Sequence, residues 1–267
     1  GAKAMALWSN FTHYKRIAMR PVLVMTLGAA LLLWGCKREK STEDELGHVE
    51  IKMVHMANGD LLQMDRPGTN PHGEPFTVTN FAYYISHIEL ESTQGPSVKL
   101  PVEYYLVNEK VPASRTISIM PPKGEYRSIS WLLGVDSTRN VSGVQSGALD
   151  PANGMFWSWN TGYIFAKLEG RSPVSTAPLQ NVTYHIGGFR QGENALRTVT
   201  LTFPETLVVQ ARGHHSGIEV WANVDAWFNA VQPLTIAAEP SCMTPGPLAQ
   251  KIADNYAHMF QVRSVTN

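Results

Sequence analysis

The chain has 267 residues, 43% of them hydrophobic, which is enough to bury the core of one sizeable domain. Lysine plus arginine and aspartate plus glutamate each number 22, so the formal net charge is zero. A neutral chain offers no electrostatic reason to bind nucleic acid, and we expect no such partner. Frequent glycine, proline, threonine and valine, without long helix-forming blocks, favour β structure.

The N-terminal segment has the pattern of an export signal. After Met19-Arg20, an apolar run extends from Val22 to Trp34 and is followed by Gly35-Cys36. This arrangement is typical of a secretory signal, and the run is short for a membrane-spanning helix. The residues before Cys36 (LLWG) resemble a bacterial lipobox, which implies cleavage before Cys36 and its lipidation. A plain signal peptide with an incidental cysteine is the alternative.

These features divide the chain into four segments. We expect residues 1–18 to be an upstream extension, 19–35 a lipoprotein signal peptide, 36–47 the lipidated cysteine with a polar tether, and 48–267 a β domain. Such a protein belongs to the cell envelope, as an outer-membrane lipoprotein on the periplasmic side. With Cys36 lipidated, Cys242 has no disulfide partner, and we expect it to be a small buried side chain.

From His48 onward, apolar residues alternate with polar ones, which predicts strands. The first strand begins at His48 and places four residues on one face: Val49, Ile51, Met53 and His55. Asn58-Gly59-Asp60 predicts a tight turn. Residues 76–90 are predicted as a strand pair or one long strand. The further predicted strands are 104–107, 117–120, 126–133, 162–170, 182–186, 197–203, 207–211 and 218–224.

Only the C-terminal tail has a helical pattern. Its apolar residues recur at about 3.6 positions, at Leu248, Ile252, Tyr256 and Met259. Many short strands with frequent turns therefore predict a mainly β fold, with a single antiparallel β-sandwich or barrel-like domain and a short C-terminal helix.

Segment 154–165 contains two tryptophans, Trp157 and Trp159, within an aromatic run. Residues two apart in an extended segment point to the same face, so spacing does not distinguish them. Indole packs strongly and its N–H requires a partner when buried, so the pair is either a core anchor or a chemically used site. The preceding loop, 134–153, is as long as many functional loops.

Histidines are the other candidates, because signatures of serine hydrolases, zinc proteases, thiol redox sites, c-type haem and phosphate loops are absent from the sequence. His55 lies on an apolar strand face, where imidazole needs a hydrogen-bond partner or a metal. His185 precedes Gly187-Gly188, which would let another backbone or a ligand approach closely. His87 shares a predicted strand face with Phe81, Tyr83 and Ile85 and is predicted to be structural. If His55 and His185 converge beside a soft or aromatic group, they would suit copper.

Several segments, in order across nearly the whole mature chain, resemble the MbnP-like family of periplasmic copper-binding lipoproteins, the partners of MbnH-type di-haem peroxidases. The matching segments are 54–59 (VHMANG), 73–76 (GEPF), 83–90 (YYISHIEL), 132–136 (LLGVD), 155–159 (MFWSW) with 162–163 (GY), 184–189 (YHIGGF), 252–255 (IADN) and 259–260 (MF).

The resemblance implies a single β-rich domain that binds copper and is not itself an enzyme. It also implies that a di-haem peroxidase partner oxidises a tryptophan to kynurenine, which then joins two histidines at the metal. By position, the implied metal ligands are His55, His185 and either Trp157 or Trp159. We expect the partner to dock near loop 134–153, and deletion of this loop to abolish the modification without unfolding the domain.

Two other classes remain open. In a metal-free lipoprotein module, the aromatic run would form a platform for a ligand such as a glycan. In an envelope structural protein, the same run would only pack the sandwich, and Trp157→Phe would cost about 1–3 kcal/mol of stability without loss of any binding function. Copper uptake by the mature domain separates the first class from the copper hypothesis. An enzyme is least supported, because no nucleophile, base and orienting group form a visible set.

Overall fold

The structure is a computed structural model, and it describes residues 45–160, 162–210 and 213–267. The predicted upstream extension, signal peptide and lipidated Cys36 lie outside the described residues, as does most of the tether. Among the helices of the described ranges, none is long and apolar enough to span a membrane.

Strands dominate the described ranges. They are β1 (His48–Ala57), β2 (Asp60–Leu61), β3 (Pro67–Thr69), β4 (Pro75–Ser92), β5 (Val98–Lys99), β6 (Tyr104–Asn108), β7 (Thr116–Ile119), β8 (Gly124–Leu133), β9 (Phe156–Trp157), β10 (Gly162–Tyr163), β11 (Ala166–Arg171), β12 (Asn181–Ile186), β13 (Arg197–Val209), β14 (His215–Asn223), β15 (Ser241–Cys242) and β16 (Phe260–Thr266). The α-helices are α1 (Ser137–Asn140), α2 (Ala226–Asn229) and α3 (Pro247–Tyr256).

A five-stranded sheet forms one layer, in the order β16-β14-β1-β2, with β7 also paired to β1. The predicted turn after β1 is confirmed: Asn58 and Gly59 have φ values of 53° and 81° and connect β1 to β2. Positive φ at both central residues is the geometry that an Asn-Gly hairpin supplies. β1 and β14 run parallel, which departs from the predicted purely antiparallel arrangement.

A nine-stranded sheet forms the opposite layer, in the order β13-β8-β4-β11-β12-β15, with β3, β5 and β6 also paired to β4. β4 is one 18-residue strand rather than a pair. The two sheets confirm a mainly β sandwich-like fold, and they do not close into a barrel.

The core lies between the two sheets. The predicted inward face of β1 is confirmed, since Val49, Ile51 and Met53 are all buried. They face the nine-stranded sheet, where Phe81 and Tyr83 of β4 are fully buried. Burying each such side chain contributes about 1.5–3 kcal/mol, so this interface is the main source of stability.

Two elements differ from the sequence-based boundaries. Residues 197–203 and 207–209 form one strand, β13, whose register shifts between Thr202 and Leu207. Pro204 falls in this bulge, where its missing N–H costs no ladder hydrogen bond. The C-terminal helix ends at Tyr256, so Met259 is not part of it, and the chain returns as β16 along the edge of β14.

A covering loop, residues 134–155, packs on the face of the nine-stranded sheet that points away from the five-stranded sheet, which we call the outer face. Its Leu149 and Met155 are buried. Tyr84 and Tyr163 donate hydroxyl hydrogen bonds to the carbonyls of Ala148 (2.8 Å) and Leu149 (2.7 Å). The loop thus forms part of the packed structure, and deleting it would expose buried aromatic residues, contrary to the expectation of a deletion without unfolding.

Cys242 is buried and has a free thiol, as predicted. Burial raises the pKa of this thiol to about 11, so it stays protonated at neutral pH. A protonated buried thiol is a poor nucleophile and a poor metal ligand, which leaves Cys242 a packing role.

Candidate functional site

The two tryptophans of the aromatic run lie in and just after a small hairpin strand. Trp157 is in β9, which pairs with β10, whereas Trp159 lies in the intervening turn. Trp157 is 4% exposed and Trp159 is 60% exposed. Their ring centroids are 5.7 Å apart, with an interplanar angle of 44°. The indoles therefore share a side, as predicted, but one is buried and the other reaches the surface.

Trp157 lies directly against the backbone of Gly187. A Cβ added at Gly187 would stand 2.8 Å and 2.9 Å from two atoms of the Trp157 six-membered ring, and 2.5 Å from the carbonyl oxygen of Tyr163. The absence of a side chain at Gly187 is therefore what allows the indole to pack there. The sequence predicted close approach at this glycine, and the group that approaches is Trp157.

Gly187→Ala is expected to destabilise the protein by about 2–3 kcal/mol and to shift the tryptophan fluorescence, because the new methyl group must displace the Trp157 ring. Urea unfolding and the emission spectrum would measure both effects. Gly217→Ala is the matched control, since its Cβ would have ordinary contacts at 3.8 Å or more. Equal stability of the two variants would contradict the packing described for Trp157.

The Trp157 Nε1–H has no hydrogen-bond partner among the described residues, a condition it shares with Trp131. Leaving such a donor buried without a partner costs about 1–3 kcal/mol. Trp157 also lines a cavity of ≈ 20 Å³ beside Asn140, Asn160 and Arg190. This volume holds about one water molecule. Trp157 therefore combines an unsatisfied donor with a small adjoining space.

His185 projects from the outer face, the same side that carries the hairpin of Trp157. His185 of β12 is the register partner of Lys167 of β11. The Lys167 amine donates a hydrogen bond to the carbonyl of Gly154. Gly187, which touches the Trp157 ring, is two residues beyond His185. Both connections place the indole next to the strand positions around His185.

The His185 ring is oriented by a carboxylate. Its Nε2 lies 2.6 Å from Oε1 of Glu169, and the other carboxylate oxygen accepts a 3.0 Å hydrogen bond from Asn80. The hydrogen bond from His185 is the largest cause that lowers the pKa of Glu169, to about 2. An ionised carboxylate can only accept, so Nε2 carries a hydrogen, and in the tautomer with this hydrogen alone the lone pair is on Nδ1. Among the described residues, none forms a hydrogen bond to Nδ1. Metal-binding histidines commonly have this carboxylate partner.

Glu169 contributes to stability above its ordinary pKa of 4.5 and loses that contribution as the pH falls from about 4.5 to about 2. The sign follows because the folded-state pKa lies below the unfolded one. Glu169→Gln is expected to flatten this part of the acid unfolding profile, measured as the urea midpoint against pH. A variant whose midpoint falls in parallel with that of the parent would contradict the assignment.

His55 is placed differently. It lies on the inward face of β1, is 2% exposed, and its Nδ1 is 2.6 Å from Oε2 of Glu109. Its Nε2 is 2.9 Å from the hydroxyl of Tyr83. Burial raises the pKa of Tyr83 well above its ordinary value, so its hydroxyl stays protonated and donates a hydrogen bond to Nε2. The Glu109 carboxylate accepts a hydrogen bond from the Nδ1–H of His55, and it also accepts hydrogen bonds from Arg115. Both ring nitrogens of His55 are therefore engaged.

The two candidate histidines do not converge. Tyr83, which contacts His55 between the sheets, is in register with Ala166 and through it with Ile186. His185 is the neighbour of Ile186 and so projects from the opposite face. The structure places His185 on the face of the sheet where Trp157 packs on Gly187, and it keeps His55 on the other face. In the part of the chain that the structure describes, no three or more histidine, cysteine, aspartate or glutamate side chains are grouped to hold a metal.

Comparison with known protein families identifies the family of this chain. The MbnP family model matches residues 46–244, which is well over half of the chain. The chain belongs to the MbnP family. Membership associates it with methanobactin- and copper-related systems. A similar solved structure is MbnP from Methylosinus trichosporium, at 13% identity and a TM-score of 0.48, over 68% of this chain and 77% of that chain. No curated protein matches the chain.

Sequence reasoning missed several groups at the site of this MbnP-family chain. Lys167 and Glu169 alternate with the buried Ala166 and Leu168, and this period-two pattern was the available signal for an outward face. Glu109 lies just after β6 with no local pattern to mark it. Its pairing with His55 depends on the register of distant strands.

Proposed function

We propose that this protein holds copper in the cell envelope, as a lipoprotein anchored through Cys36, after a di-haem peroxidase has oxidised Trp157 to kynurenine. Copper is its cargo, and the protein is not a catalyst. One observation carries the proposal. The buried indole of Trp157, whose N–H has no partner among the described residues, packs on Gly187, two residues from His185 on the same face of the sheet, and its ring contacts the exposed indole of Trp159.

The residues present fit copper only in part before modification. His185 offers an imidazole nitrogen, a ligand suited to copper, and Glu169 holds the ring in the right tautomer. Indole itself is a poor ligand. Kynurenine carries an aniline nitrogen and a ketone oxygen, so oxidation would convert Trp157 into the missing donor. His55 does not supply the second histidine in this arrangement, since both of its nitrogens are engaged.

The tryptophan pair supports a route for the electrons. A docked oxidant could reach Trp159, which is 60% exposed, whereas Trp157 is 4% exposed. With ring centroids 5.7 Å apart, an electron can pass from Trp157 to Trp159 and on to the partner. On this basis we propose Trp157 as the residue that is oxidised and Trp159 as the entry point of the oxidant. The proposed docking surface is the exposed turn around Trp159, next to the covering loop.

The oxidation balances as a ring opening. The C2–C3 double bond of the Trp157 pyrrole ring breaks and each carbon gains an oxygen atom. One hydrogen peroxide supplies both atoms while the peroxidase removes two electrons and two protons, or one dioxygen supplies both with no net loss of electrons. Hydrolysis of the resulting N-formyl group then releases formate and leaves the aniline nitrogen. Relative to tryptophan, the product has lost one carbon and gained one oxygen, a gain of about 4 Da.

The proposal is tested by peptide mass spectrometry and metal analysis of the protein purified from its native host. We expect a gain of about 4 Da localised to Trp157, near-stoichiometric copper, and an N-terminal peptide that begins at a lipidated Cys36. Intact tryptophans with copper present would overturn the oxidation step. Intact tryptophans without copper, even after exposure to copper, would overturn the copper function.

A glycan-binding module is the second candidate, and the exposed ring of Trp159 favours it, since aromatic faces stack on sugar rings. The cavity beside Trp157, at ≈ 20 Å³, is far too small for a sugar ring, so stacking would be confined to Trp159. A glycan array with the parent protein and Trp159→Ala distinguishes the two functions. Saccharide binding that depends on Trp159, in protein that takes up no copper, would establish the second candidate.

A further inference from the structure

Two histidines form a close pair on the five-stranded sheet. His48 begins β1 and His215 begins β14, and the two are register partners in this parallel pair. Their Nδ1 atoms are 2.8 Å apart, and the ring centroids are 4.7 Å apart with an interplanar angle of 78°. Because Val49 next to His48 points into the core, the pair projects from the opposite, solvent-facing side of the sheet.

A neighbouring hydroxyl sets the orientation of one ring. The Nε2 of His48 is 2.7 Å from Oγ of Ser118, which lies on the adjacent strand β7. In the tautomer with hydrogen on Nε2, His48 donates to Ser118 and has its lone pair on Nδ1. His215 can adopt the same tautomer, with its Nε2–H in solvent, because this residue is exposed. Without a metal, one ring carries its hydrogen on Nδ1 and the 2.8 Å contact is an N–H···N hydrogen bond between the rings. When that hydrogen is on Nε2 instead, both Nδ1 lone pairs point at the space between the rings and can bind a cation.

The spacing of these two nitrogens matches a tetragonal metal centre. Two nitrogens that are each about 2.0 Å from one metal and at a right angle are about 2.8 Å apart. The observed separation is 2.8 Å. A tetrahedral centre needs about 3.3 Å, which would require the rings to move apart. Square-planar and tetragonal nitrogen sites are typical of Cu(II) and Ni(II).

We propose that His48 and His215 form a second metal site, which binds a divalent cation of tetragonal preference, above all Cu(II), with water in the remaining positions. Both ligands come from strands of the five-stranded sheet, whereas Trp157 and His185 lie on the outer face of the other sheet. The site is thus separate from the proposed copper–kynurenine site and does not depend on it. It lies at the first residue of the domain, where the predicted tether joins.

The test uses the full chain produced without any haem peroxidase, with intact tryptophans verified by mass, so the outcome is independent of the proposed function. Copper(II) sulfate is titrated and the bound ion is recorded by electron paramagnetic resonance. We expect an axial signal with hyperfine splitting from two imidazole nitrogens. His48→Gln and His215→Gln should each weaken binding at least about tenfold, or about 1.4 kcal/mol.

Matched controls are available within the chain. His214 lies just before β14, is exposed, and is not a hydrogen-bond partner of His48 or His215, so His214→Gln should leave the signal unchanged. His185→Gln should also leave it unchanged. The proposal is overturned if His48→Gln and His215→Gln, folded as judged by thermal unfolding, bind Cu(II) like the parent. A loss of the signal in His214→Gln or His185→Gln instead would overturn it as well.

Discussion

Trp157→Phe is expected to abolish both the mass gain of about 4 Da and stoichiometric copper retention in protein co-produced with its peroxidase. The phenyl ring fills much of the same buried space but cannot be opened to an aniline donor. Trp159→Phe should keep Trp157 convertible and slow its conversion at least about tenfold, or by about 1.4 kcal/mol, because the exposed relay at 5.7 Å is lost. Peptide mass spectrometry over time, with metal analysis, measures both.

Trp221→Phe is the control for general effects of removing an indole. Trp221 is half-buried on β14 and its Nε1–H donates to Glu219, so it is outside the site. This variant should be modified and loaded like the parent. Conversion of Trp159 rather than Trp157 in the parent protein would reverse the assignment of the two tryptophans.

His55→Ala is expected to lower the free energy of unfolding by about 3 kcal/mol. The substitution removes a 2.6 Å hydrogen bond to Glu109 and a 2.9 Å hydrogen bond from Tyr83, and leaves a cavity between the sheets. Both former partners are poorly placed to find water, since Tyr83 is fully buried and the Glu109 side chain is 11% exposed. Urea unfolding with unchanged m-value would measure the loss.

Tyr83→Phe separates the contributions of the two His55 hydrogen bonds to stability, because it removes only the hydroxyl that donates to His55. It should lower the free energy of unfolding by about 1–2 kcal/mol. Tyr105→Phe is the matched control, since its hydroxyl bonds Glu103 near the surface, and its effect should stay within about 0.5 kcal/mol. If His55→Ala unfolds at the same urea concentration as the parent but loses copper, His55 is a metal ligand rather than a core residue.

Local patterns predicted most of the strands because alternation and turn preferences act over a few residues. The inward face of β1 follows from the alternation of Val49, Ile51 and Met53, and the Asn58-Gly59 turn from the ease of positive φ there. The missed elements depend on distant partners. β16 forms where the edge of β14 is available, and a short segment such as 260–266 carries too little pattern to reveal that edge.

The bulge at His87 is another feature with a non-local cause. His87 has φ of 51° in the interior of β4, where the register to β8 shifts between Ser86 and Glu89. Strand alternation placed its side chain with the apolar residues, yet the imidazole is 39% exposed and 3.6 Å from Asp136. One extra residue in a strand reverses the facing of the residues after it, and only the pairing partner reveals where the extra residue falls.

The order and identity of the motifs by themselves determined the family, the sandwich and the two tryptophans as candidates, because each depends on residue type and local spacing. Lipidation of Cys36, kynurenine formation and copper binding stay predictions. Only the tertiary structure decided that His185 shares a sheet face with Trp157 and that His55 lies on the opposite face. Strand register sets which side of a sheet a side chain occupies, and register arises from pairing between residues far apart in the chain.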